Sequence, residues 1–309
     1  MSTTLQQPKA SADQDPTPTE SGDLRKKRRR PTSVPARILV TAGLAVAAIY
    51  FLFPVYWIVV AATKNAGDLF GTSGLLFNNP HLLRNLGDVL TFNSSIYLRW
   101  VGNSLLYSGV GSVVATVLSV AGGYCLAKFP FRGREAVFNV FLAGVMIPGT
   151  ALALPLFLLM SNVGLVNTVW AVLLPSLVSP FGVYLARIYA SAAVPDSVIE
   201  AARLDGAGEF RIFFTLVLRM MMPAAVTVLL FQFVGIWNNY FLPLVMLSDQ
   251  KLYPITLGLV SWQSVSDRHP ELYQLTIGGA LLSVIPLMIA IVSLQRFWRA
   301  GLTEGSVKG

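Results

Sequence analysis

Charge is what this sequence has least of. Only 12% of its 309 residues are Asp, Glu, Lys or Arg, against 54% that are hydrophobic, and the mean hydropathy is +0.62. Soluble domains carry about a quarter charged residues, so half that proportion excludes an ordinary soluble globule. A single cysteine, Cys125, excludes an intramolecular disulfide and reads as a small buried apolar filler. The two histidines, His81 and His269, have no ligand partner at metal spacing, so neither a metal site nor any cofactor is expected. No G-x-x-x-x-G-K-[ST] phosphate loop and no G-x-S-x-G nucleophile elbow occurs. The chain reads as having no catalytic set of its own and is not expected to be an enzyme.

What is present is a series of six apolar runs, at about 38–63, 102–127, 136–160, 165–185, 222–247 and 275–294. Each is close to the roughly 20 residues that cross a bilayer as a helix. Backbone groups in hydrocarbon must be satisfied within the segment, so an all-α polytopic membrane protein of six transmembrane helices is expected. Both termini are placed in the cytoplasm by charge: 18 Lys/Arg fall on that side against five on the other. The net charge of +8 is therefore topology, and a nucleic-acid partner is not expected. The basic run RKKRRR (25–30) reads as a topogenic patch facing membrane lipid. It lies within a tail, 1–37, whose first 24 residues are polar, rich in Pro, Ser and Thr, and expected to be disordered. The first apolar run is too long, and its preceding polar region too extended, for a cleaved signal peptide.

None of the six runs contains Asp, Glu, Lys, Arg or His. Ion-coupled transporters keep such groups at mid-membrane, so proton or sodium coupling is not expected, nor a strongly charged cargo. Helix breakers are common instead: Pro148, Gly149 and Pro155, then Pro175, Pro180 and Gly182, then Gly235 and Pro243, and Pro286. Four kinked spans point to a core that moves. The one dense polar cluster inside a run is Trp237, Asn238, Asn239 and Tyr240. Its amides must find partners, which leaves two roles open: contact with a neighbouring helix or subunit, or lining of a path for a polar solute.

One charged island, EAARLDGAGEF, interrupts the greasy chain at 200–210. VPDSVI before it starts a helix, with Pro195 in the first turn and Asp196 at the positive end of the dipole. Val198, Ala201 and Ala202 fall on one face, Glu200 and Arg203 can pair at i, i+3, and Gly206 allows a sharp turn into a second amphipathic helix over 209–219. From these residues alone the island reads as an interface element across the membrane mouth, with an ordinary cytosolic loop as the alternative. A transporter, an integral-membrane enzyme or a non-transporting scaffold all stay open, the enzyme weakened by the missing nucleophile and metal set.

EAARLDGAGEFRIFFTLVLRMMMPA resembles the EAA loop of permease subunits in bacterial ABC importers. The match rests on Glu200, Ala201, Ala202, Gly206 and Leu216, with Met222–Pro223 where Leu–Pro is usual. NSLLYS, GGYCLAKFPFRGR, LPLFLLMSNVGLVNT, FVGIWNNYFLPLVML and the tail QRFWRAGLTEGSVKG extend the likeness over about 38–309. Together they resemble the carbohydrate-uptake branch, and within it the second permease of maltose-type transporters. That resemblance implies the type I ABC importer permease fold and a six-helix domain over 38–297. It also implies a coupling loop over about 192–221 and a C-terminal tail over 298–309. Glu200, Ala201, Ala202, Asp205 and Gly206 would then form the coupling contact with a cytoplasmic ATPase. Gly305, Ser306, Val307, Lys308 and Gly309 would form a second contact. The implied partners are a second permease subunit, an ATPase dimer and an extracytoplasmic solute-binding protein. The implied location is the bacterial cytoplasmic membrane and the implied cargo a carbohydrate, with a permease for another neutral polar solute as the alternative.

Overall fold

The computed structural model describes residues 34–304; of the expected tails, 1–37 and 298–309, the parts 1–33 and 305–309 lie outside the described residues, and 298–304 continue the last helix. Every described element is helical. The chain divides into two units, one ending at Leu52 and the other running from Phe53. In the first unit the described residues are the leading part of helix α1 (Val34–Thr63). Apolar residues occupy its whole circumference, as a helix in hydrocarbon requires.

The second unit holds the end of α1 and everything after it. Short helix α2 (Ala66–Gly71) is capped by Asn65, whose side chain accepts the Asp68 N–H. The polar connection that follows is pulled together by Lys64, which is 1% exposed; its Nζ donates to Thr72 Oγ1 (2.8 Å) and to the Ser73 carbonyl (2.5 Å).

Helix α3 (Leu82–Lys128) is the central post and begins twenty residues before the apolar run that announced it. It is two helices joined at Phe92–Ser95, where Asn93, Ser94 and Ser95 all take left-handed backbone angles (φ 46, 56 and 62°). Left-handed backbone at non-glycine residues costs on the order of 1 kcal/mol each, which surrounding structure must offset. The break separates a charged arm, with Arg84 and Asp88, from a rod over 96–128. At 1.5 Å per residue the rod is about 50 Å long, enough to cross a bilayer with its headgroups.

The third apolar run is not one straight span. Helix α4 (Arg134–Met146) stops before Pro148, a 3₁₀ turn covers Gly149–Leu152, and helix α5 (Ala153–Asn162) leaves at 103°. The fourth run contains α6 (Val169–Ser176) and α7 (Pro180–Ala193), separated where Pro180 takes the first turn and the Ser179 hydroxyl caps Gly182 N–H. Helix α8 (Asp196–Leu204) follows, then α9 (Glu209–Ile212), a π-helical turn (Phe213–Val217) and α10 (Leu218–Met220). A bend of 80° separates Glu209–Met220 from α11 (Met222–Trp237). The fifth span was expected to continue to 247, but α11 ends at Trp237 and Pro243 sits in a separate short helix, α12 (Phe241–Met246). Helix α13 (Ile255–Gln263) and the long α14 (Glu271–Glu304) complete the described chain, and α14 runs unbroken through Pro286. Of the five proline-bearing runs, the third, fourth and fifth are interrupted, whereas α1 runs through Pro54 and α14 through Pro286.

Among the described residues four helices are long and apolar enough to cross a membrane, and up to six spans result if each bent pair counts as one. Small residues let α3 lie close to α7. A Cβ on Gly123 would come within 2.5 Å of Ala186 Cβ and 2.6 Å of the Arg187 backbone nitrogen, so only glycine fits. Near the Arg99 end of the rod, Tyr97, Trp100, Trp237, Ile255, Trp262 and Leu272 form one core cluster. Near its Lys128 end, Tyr124, Ala186, Ala190, Ile199, Ala202, Ile212 and Phe213 form another.

Candidate functional site

Helix α8 and the turn after it make the island. Pro195 is the N-cap, Asp196 opens the first turn, and Lys128 at the end of α3 reaches Asp196 Oδ1 at 2.7 Å. The start of α8 is thus tethered to the end of the central post. Its end is closed by paired backbone bonds, Ala207 N–H to Ala202 O and Gly206 N–H to Arg203 O, both 3.0 Å. Gly206 at φ +79° supplies the left-handed residue that this closure needs. An added Cβ there would meet no neighbour, so the requirement is conformational and not one of space.

The reversal brings Glu209 beside Arg203. Their Oε1–Nε distance is 2.7 Å, so Arg203 takes Glu209 and not Glu200, the partner expected from helix spacing. The physical reason is the turn: it folds a carboxylate into reach without straining a helical rotamer. The hydrogen bond to the Glu209 carboxylate raises the pKa of the Arg203 guanidinium still further. Both side chains are roughly half exposed, so the pair shapes the turn more than it stabilises the protein.

The alanine pair divides. Ile199 and Ala202 turn inward onto Val194, Tyr124 and Phe213, whereas Ser197, Glu200, Ala201 and Leu204 are exposed. These four recur at i, i+3, i+4 and i+7 and form one stripe. Ala202 therefore packs against its own chain and Ala201 faces out. Among the described residues Glu200 and Asp205 make no ion pair. Leu204 is 89% exposed and Phe210 84%, although both lie beside charged residues outside the apolar runs. Spacing alone did not single out these two; the visible signal is an apolar residue at the outer position of an otherwise polar RLDG turn.

The Trp237–Tyr240 cluster is a helix end and not the middle of a span. Trp237 is 2% exposed and stacks on Phe233 with ring centroids 5.8 Å apart. Asn239 accepts the Leu242 N–H on its side chain and the Thr256 hydroxyl on its carbonyl. Asn238 donates to the Val234 carbonyl and is exposed, as is no other member of the four. Cys125, expected as buried filler, is exposed on the outer side of α3, because its neighbours Tyr124 and Leu126 take the inward positions. The expected tail contact at Gly305–Gly309 lies outside the described residues.

A many-span helical bundle with an exposed stripe of mixed polarity at one end defines the class: a multi-pass membrane protein. The particular family follows from comparison. Residues 116–302 match the family described as the binding-protein-dependent transport system inner membrane component, and the chain belongs to it. The chain is 34% identical to the arabinooligosaccharides transport system permease protein AraQ of Halalkalibacterium halodurans, over 91% of this chain and all of that one. It is 32% identical to the lactose transport system permease protein LacG of Rhizobium radiobacter, over 86% and 94% of the two chains. A solved bacterial ABC transporter involved in import of the acidic polysaccharide alginate has a chain of the same fold. The TM-score is 0.74 at 23% identity, covering 86% of this chain and 98% of that one.

Proposed function

We propose that this chain is the membrane-spanning permease of an ATP-driven carbohydrate importer in a bacterial cytoplasmic membrane, with both termini cytoplasmic. A second permease, an ATPase dimer and an extracytoplasmic solute-binding protein complete the machine. The exposed stripe of α8 carries this reading: it is an outward face of mixed charge and apolar surface, in the family's loop, left uncovered among the described residues.

In this reading Glu200 and Asp205 meet donors of the ATPase, Ala201 lets the two backbones approach, and Leu204 seats in an apolar groove. Gly206 sets the turn, and Ala202 holds the helix to its own bundle. Nucleotide-driven closure shifts α8, and the shift reaches the spans through the Lys128–Asp196 tether and through Glu209–Met220, which leads to the 80° bend before α11. ATP biases one global state because it binds that state better, and the membrane helices follow. No covalent chemistry takes place in this chain. A neutral oligosaccharide suits spans without ionisable groups, and relatives named for arabinooligosaccharide and lactose transport support that class.

The test is uptake of labelled neutral oligosaccharides into vesicles supplied with binding protein, with and without this chain. ATP-dependent accumulation that vanishes without the chain is expected. Equal accumulation without it would refute the assignment.

A further inference from the structure

Helix α4 packs mainly on α7. Among the described residues it buries no side chain, and its least exposed positions, Arg134, Phe138, Phe141 and Gly144, form one stripe at i, i+4, i+7 and i+10. Its contacts with α7 keep a single antiparallel register. Arg187 Nη2 meets Glu135 Oε1 at 2.6 Å, and Tyr184 stacks on Phe138 with ring centroids 6.0 Å apart. Further on, a Cβ on Gly144 would lie 3.3 Å from Pro180 Cγ. Steps forward on α4 are matched by steps back on α7, so the two helices are zipped over 135–144, about 13 Å.

Arg187 closes the zip. Its side chain is 15% exposed, its guanidinium carbon lies 3.8 Å from the centre of the Phe138 ring, and its Nη1 is buried without a hydrogen-bond partner. Glu135, which Arg134 also approaches at 3.4 Å, is the carboxylate that pairs with it. A cation this far out of water depends on that partner, and removing the partner of a buried charge costs far more than breaking an exposed pair.

The zip joins two functional ends. At one, only Val194 and Pro195 separate α7 from α8. At the other, α4 stops about 20 Å from Arg134, inside the roughly 30 Å hydrocarbon layer, at the 103° break. Pro148 has no N–H for the Gly144 carbonyl, and residues 147–152 are all exposed. Irregular backbone at that depth is tolerated only when buried in protein or lining a water-filled cavity, so moving it changes what a polar solute meets.

We propose that Arg187 and Glu135 are positioning residues of the transport cycle: they carry the motion of α8 and α7 into α4, and so into the break at 147–152. The route is separate from the Lys128–Asp196 tether and from the segment after the turn, and it rests on the permease reading.

The experiment uses the assembled transporter, in nanodiscs for distances and in sealed vesicles for uptake. Cys125→Ser removes the exposed thiol, and nitroxide labels are placed pairwise at Val140, Ile188 and Leu118, exposed positions on α4, α7 and α3. Between nucleotide-free and ATP-bound states the 140–188 distance should stay fixed while the 118–140 distance changes. Glu135→Gln should broaden the 140–188 distribution and reduce uptake at least tenfold, with ATP hydrolysis still stimulated by loaded binding protein. Glu135→Arg combined with Arg187→Glu should restore the narrow distribution and at least a third of the uptake. A 140–188 distance that changes with nucleotide in the unaltered chain, or a double variant no better than Glu135→Gln, overturns the proposal. Absent uptake with the unaltered chain marks failure of the permease reading, whereas uptake that survives Glu135→Gln marks failure of the pair alone.

Discussion

The two ends of the α3 rod are built in opposite ways. At the Arg99 end the chain closes on itself. Arg99, Trp100, Asn103 and Tyr107 donate to the backbone carbonyls of Gln250, Lys251, Leu252 and Tyr253, so four consecutive carbonyls are held by one helix. Asn167 accepts the N–H groups of Ser248 and Asp249, and the Ser104 hydroxyl accepts that of Ile255. Three indoles, Trp100, Trp237 and Trp262, fill the space beneath. At the Lys128 end two ion pairs shape the segment around α8, and among the described residues its outer stripe is left bare. One end is thus braced by bonds within the chain and the other presents an exposed stripe: a fixed frame and, in the proposed reading, an open joint. Substitutions should thus separate into those that unfold the frame and those that only disconnect the joint.

Trp100→Ala should strike hardest. The side chain is fully buried, sits 4.7 Å from Trp262 between ring centroids, and holds the Gln250 carbonyl at 2.8 Å. A loss of about 3–5 kcal/mol is expected for an aromatic deleted from a core, read as a fall in the denaturation midpoint in lipid nanodiscs. Gly258→Ala should cost about 1–3 kcal/mol by overpacking, because its Cβ would lie 2.2 Å from the Trp100 ring; the same melt measures it. Asn103→Ala removes two bonds, to Lys251 and Tyr253. At about 1 kcal/mol each, it should speed hydrogen exchange over 250–253 by roughly thirtyfold while leaving 196–206 unchanged. Equal protection changes at both ends would break the contrast. Leu204→Asp should change stability by less than about 0.5 kcal/mol, as an exposed substitution does, yet reduce ATP-driven uptake more than tenfold. A variant that melted early would show Leu204 to be structural.

Much of this was legible in the sequence, for identifiable reasons. Six hydrophobic runs without charge can hardly be anything but membrane helices, and the segment at 196–206 declared its helix and turn through Pro195, Asp196 and Gly206. The breaks were harder. Asn93, Ser94 and Ser95 carry no glycine signature, so nothing local announces three left-handed residues in succession. The early start of α3 was hidden because its first turns carry Arg84 and Asp88 and read as a loop. Prolines marked where helices yield but not whether they do: Pro148 sits at a bend of 103°, while α14 runs through Pro286. The Arg203–Glu209 pair and the division of Ala201 from Ala202 depend on how α8 is rolled against Tyr124 and Phe213. That roll is a tertiary fact, and helix periodicity alone offers both alanines to the same side.

The open joint is tested most directly at Glu200, which is exposed and outside every ion pair among the described residues. The measurement is ATP-dependent oligosaccharide uptake by vesicles carrying Glu200→Lys, at matched membrane levels and matched melting of the chain. A fall of at least tenfold, about 1.4 kcal/mol of lost coupling, is predicted, with ATP hydrolysis no longer stimulated by loaded binding protein. Uptake and stimulation equal to those of the unaltered chain would contradict the account.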